Sequence, residues 1–79
     1  MNIPRFLEEA LENRECARVA WTQARHGINR RLARFGTQSV SEEDIDQEKN
    51  LMKVFRTMMI EQNQALSRYY RSATRAAGL

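Results

Sequence analysis

At 79 residues the chain holds one small domain, whose modest core makes a partner, a second copy or a covalent staple expected. A single Cys, Cys16, excludes an internal disulfide, and a single His, His26, excludes a zinc site of the usual ligand spacing, so no metal or cofactor is expected. The net charge of +3 belongs to a mildly basic chain, and no apolar run approaches the length of a signal-peptide core or a membrane span; a cytoplasmic protein with no membrane contact is expected.

In chain order, Pro4 suits the first turn of a helix, where its missing N–H would be unpaired in any case, with Asn2 or Ile3 as the cap. From Leu7 a spacing of three and four runs through Ala10, Arg14, Ala17, Trp21, Ala24, Ile28 and Arg31 to Phe35, which predicts a helix over about 4–35. Gly27 falls inside it, at a cost of about 1 kcal/mol relative to Ala, and Gly36 is the natural stop.

Residues 36–41 form the turn, and Ser39 with Glu42 or Ser41 with Asp44 offers a capping box for the second helix. That helix is predicted over about 42–76. Its seam runs through Ile45, Met52, Phe55, Met59, Leu66, Tyr69, Ala73 and Ala76, interrupted by Glu48 and Gln62. A short turn between long helices favours an antiparallel hairpin.

With the turn centred near residue 38, facing positions pair as Ala10 with Leu66, Ala17 with Met59, Trp21 with Phe55 and Ala24 with Met52. Small faces large in the Ala layers and aromatic faces aromatic between them, so the expected fold is an all-α two-helix hairpin. It would complete a helical bundle by self-association or by binding a partner. A buried polar layer is expected in two places: Arg14 opposite Gln62, as a register pin or an anion pocket, and Arg31 close enough to Glu48 to pair.

Each helix starts acidic and ends basic, as the helix dipole favours. Antiparallel folding is expected to set Arg30, Arg31 and Arg34 beside the acids of 42–48, and Arg68, Arg71 and Arg75 beside Glu8, Glu9, Glu12 and Glu15. Arg18, Arg25, Lys53 and Arg56 remain in the middle, on a flank around Trp21 and Tyr70. They suit a nucleic-acid backbone or an acidic protein.

Off the seams lie Val19, Val54 and Ile60, while Leu51 and Met58 widen one side of the second helix. Two helices cannot cover so broad an apolar stripe. The expected function is therefore a non-enzymatic protein-interaction module, homodimeric or bound to another helical protein, using Val19, Leu51, Val54, Met58 and Ile60. The alternative is a small RNA- or DNA-binding regulator using Arg18, Arg25, Lys53 and Arg56.

Val54-Phe55 through Ile60-Glu61-Gln62-Asn63-Gln64-Ala65-Leu66-Ser67-Arg68-Tyr69-Tyr70 resembles the last helix of the small all-helical chorismate mutases. Asp44-Ile45-Asp46 with Glu48 is similar to an acidic segment of that family. The resemblance implies that Arg14 and Arg31 would serve as substrate-binding arginines. The chain departs from the family at Gln47, where the family has Arg, and at Leu66, where it has Gln; a Lys near the end of the first helix is missing. No enzymatic activity is expected.

Overall fold

The structure is a computed structural model, of which residues 3–78 are described. Helix α1 spans Arg5–Phe35, a 3-10 turn spans Thr37–Ser39, and helix α2 spans Glu42–Ala76. The helices pack antiparallel as the spacing predicts, in a rod of 62 × 20 × 15 Å. Its radius of gyration is 18.1 Å, against about 12 Å for a compact domain of this length.

The termini follow from local chemistry. Pro4 is itself the cap of α1 rather than part of its first turn: its ψ of 146° is extended, and its carbonyl accepts from the N–H groups of Leu7 and Glu8 at 3.1 and 3.0 Å. Ile3, one of the two expected caps, therefore precedes the cap, and Asn2, the other, lies outside the described residues. At the far end Gly36 adopts φ 81°, open to glycine at no steric cost, and its N–H returns to the Leu32 carbonyl.

Of the two possible capping boxes, Ser41 with Asp44 forms. The Ser41 hydroxyl accepts from the Asp44 N–H at 3.2 Å, and the Asp44 carboxylate accepts from the Ser41 N–H at 2.9 Å. The Ser39 hydroxyl donates to the Gly36 carbonyl and closes the 3-10 turn instead.

Two long cylinders touch along a line, so little of either is enclosed. Among the described residues Leu7, Ala10 and Ala17 are buried, and no polar residue is. Ala10, Ala17 and Ala24 recur every seven residues on one side of the contact line and let the helices approach closely there. The other side of the line carries Arg14, Trp21 and Ile28, which prop it open. Ile45 and Met59, both on the α2 seam, stay 43% and 38% exposed as a result.

The middle layer forms as expected: the Trp21 and Phe55 rings stack with centroids 5.6 Å apart and planes at 24°. The polar pairing around it differs from expectation. Glu48 accepts a 2.6 Å hydrogen bond from the Trp21 indole N–H, and Arg31 pairs with Asp44 at 3.1 Å. Arg31 chooses Asp44 because the capping box has already fixed that carboxylate one turn nearer the loop.

Candidate functional site

The open side of the contact line forms a groove of about 400 Å³. Trp21 and Ile28 from α1 and Ile45 and Met52 from α2 supply its apolar walls, with Arg25, Asn29 and Glu48 as the polar lining. Each wall residue is a seam position left half-covered. The groove therefore follows from the large residues on this side of α1 opposing the small ones on the other.

Trp21 is fixed from three directions. Phe55 stacks on its ring, Glu48 holds its N–H, and the Arg25 guanidinium lies 5.7 Å from its centroid. A cation over an indole face is favoured by the ring quadrupole. Glu48 is the only acid lining the groove among the described residues, and the indole engages its carboxylate.

The rim is basic. One residue advances a helix by about 100°, so residues four after a wall residue lie about 40° round from it. Arg25 stands in that relation to Trp21, Lys49 to Ile45 and Arg56 to Met52. Lys53 lies further out on the same side. No carboxylate among the described residues lies within ion-pair distance of Arg25, Lys49, Lys53 or Arg56.

Arg18, grouped with these from the sequence, is engaged instead. Its guanidinium makes two hydrogen bonds to Glu15, at 2.6 and 3.0 Å, because an acid three residues earlier is its nearest neighbour on the helix surface. This pairing holds the Glu15 carboxyl below its usual value, chiefly through the Arg18 hydrogen bond. Towards the turn Glu42 and Asp46 bring acid to the same side.

The expected ionic cluster at the open end does not form. Arg68 lies over the Phe6 ring at 4.1 Å and the Arg71 Nε–H turns to the Ser67 carbonyl. Among the described residues Arg31–Asp44 is the only ion pair joining the helices, while Arg5–Glu9, Arg14–Glu15 and Arg18–Glu15 stay within α1. Exposed pairs of this kind are worth little, so nothing compels the arginines into them.

Arg14 and Gln62 form no hydrogen bond to each other. The Arg14 guanidinium sits 5.9 Å from the Phe55 centroid, and both its Nε and the Gln62 Oε1 are buried without a hydrogen-bond partner among the described residues. Arg14 and Arg31 lie 17 residues apart on one helix, about 25 Å, and so do not meet within one chain.

The five apolar residues singled out from the sequence do not share one surface. Leu51, Val54 and Met58 lie along one flank of α2, with Val54 46% exposed. Ile60 is about 180° round the helix from Leu51 and lies instead in a shallow depression with Asn63, Gln64, Ser67 and Arg71. Val19 points away from the seam, about 200° round α1 from both Ala17 and Trp21.

Seam spacing predicts that Ile28, Ile45 and Met52 are covered, whereas they wall the groove. The signal that could have found them is the run of Ala10, Ala17 and Ala24 on one side only.

Among the described residues no cluster of metal-ligating side chains occurs and no helix is long and apolar enough to cross a membrane. Cys16 is exposed. No family model matches the chain, and no curated protein or solved structure shows significant similarity to it.

Proposed function

We propose that the chain is a small non-enzymatic protein-interaction module, of the adaptor, chaperone, assembly-factor or inhibitor kind, that docks on helices of a partner or of a second copy. One observation carries this reading: the surface it leaves exposed. The chain exposes 6445 Å², whereas a compact monomer of 9.3 kDa exposes about 5,000 Å². The excess of roughly 1,500 Å² exceeds the area of about 800 Å² that one partner contributes to a standard interface.

Two apolar surfaces offer it, the Trp21–Met52 groove and the Leu51–Val54–Met58 flank. Capture of binding proteins from the native host, compared among the parent chain, Ile45→Glu and Val54→Glu, tests the reading. A binder lost with either change, or a second copy lost likewise, supports it. A helical chain that stays monomeric and retrieves nothing contradicts it.

A second reading draws on the rim. Arg25, Lys49, Lys53 and Arg56 stand uncompensated along one side, which suits a phosphate backbone. Binding of a short RNA duplex at about 50 mM salt, weakening steeply as salt rises and on Arg25→Ala, would support a nucleic-acid regulator. Absence of binding under those conditions removes it.

A further inference from the structure

Resting on the interaction reading, we infer that the groove between Trp21, Ile28, Ile45 and Met52 receives an acidic amphipathic helix of another protein. The floor supplies the apolar half of that match. The α2 wall runs from Ile45 past Met52 to the exposed Met59, 14 residues on, or about 21 Å, the length of a four-turn helix. An apolar stripe set into a groove is the ordinary way in which an amphipathic helix is recognised.

The rim supplies the charge. The two acids on this side of the middle segment are already engaged, Glu15 by Arg18 and Glu48 by the Trp21 indole. Arg25, Lys49, Lys53 and Arg56 are left facing outward beside apolar walls. Glu and Asp residues flanking the apolar stripe of an incoming helix would meet them, where complementary potentials speed encounter and exclude wrong partners. Near the turn, Glu42 and Asp46 reverse the sign, so the basic window coincides with the groove and does not extend along the whole rod.

The same charges disfavour a second copy on this face. Packing two hairpins with their turns together sets Arg25 against Lys49 of the second copy, and Arg18 against its Arg56. Packing them with turns opposed brings Lys49, Lys53 and Arg56 of the two α2 helices together. Like charges oppose in either arrangement. A phosphate backbone would satisfy the rim but leave Ile45 and Met59 without an apolar partner. The acidic helix satisfies both.

Trp21 is the only tryptophan and lines the groove, so its emission reports occupancy directly. The probe is a peptide of about 15 residues with leucines at helical spacing and glutamates flanking them. Its control carries lysines in place of the glutamates. The expected result is a saturable shift of Trp21 emission, with the acidic peptide binding at least about ten-fold more tightly than the basic one. Arg25→Glu with Lys49→Glu should reverse the preference, and Ile45→Glu should remove binding of both. These side chains are exposed, so circular dichroism should show helix content unchanged in each variant.

Equal binding of the two peptides, or none, would overturn the inference. So would tighter binding of an RNA duplex at Trp21, or a mass of twice 9.3 kDa that falls to the monomer value on Ile45→Glu. A host protein released by Val54→Glu but not by Ile45→Glu would leave the interaction reading standing while removing this occupant.

Discussion

Gly27 lies in the interior of α1, where glycine is the costliest residue after proline. A Cβ built there meets no heavy atom of the described residues within 4 Å, and the backbone is ordinary helix with no positive φ. The Gly27 carbonyl accepts from the Arg31 Nε–H at 3.4 Å, a contact that a methyl group does not touch. Nothing in the hairpin therefore opposes Gly27→Ala, which should stabilise the isolated chain by about 0.8–1 kcal/mol, partly through the unfolded state. Unfolding entropy near 2.1 cal/mol/K per residue, taken over the chain, converts that gain into a rise of about 5–6 °C in Tm. Thermal unfolding followed by circular dichroism at low protein concentration measures it. A Tm that falls, or does not move, would refute the reasoning and place a packed neighbour over Gly27.

Three further outcomes are expected. Asp44 is held at about 2, below its ordinary 3.8, first by the Ser41 N–H and then by Arg31. A lowered carboxylate pKa contributes stability above the unfolded value and loses it as pH falls. The Tm difference between the parent and Asp44→Asn should therefore be largest above pH 4 and vanish as pH falls from 3.8 towards about 2; a difference independent of pH contradicts this. Gln62→Leu removes a buried Oε1 that lacks a partner and should raise stability by about 1 kcal/mol in urea unfolding, where a loss would show that Gln62 is hydrogen-bonded in solution. Glu48→Gln keeps an acceptor for the Trp21 indole but removes its charge, and should cost about 1 kcal/mol; an unchanged midpoint would mean that this bond is not made.

The hairpin was legible because its signals are local and agree with one another: two three-four spacings, Gly36 as a stop, and a serine and acid three residues apart at the start of α2. The stacked Trp21–Phe55 layer followed from the turn position alone. Pairings of long charged side chains were not legible. Arg31, Arg18 and Arg68 each had several partners within reach of a flexible stem, and the choice fell to a carboxylate already fixed, to the nearest acid on the same helix, and to an aromatic face. The groove was missed for a different reason. Heptad spacing says that Ile45 and Met52 face the other helix, but not which edge of a two-cylinder contact closes; that depends on comparing the side chains along its two sides.

The most direct test of the docking groove is site-specific photo-crosslinking in the native host. A photoreactive residue replaces Ile45, on the groove wall, and in a separate chain Val19, on the outer face of α1. The expected result is a discrete cross-linked protein from position 45 that is absent from position 19. No adduct at 45, or the same adducts from both positions, would contradict the claim that this groove is where the protein meets its partner.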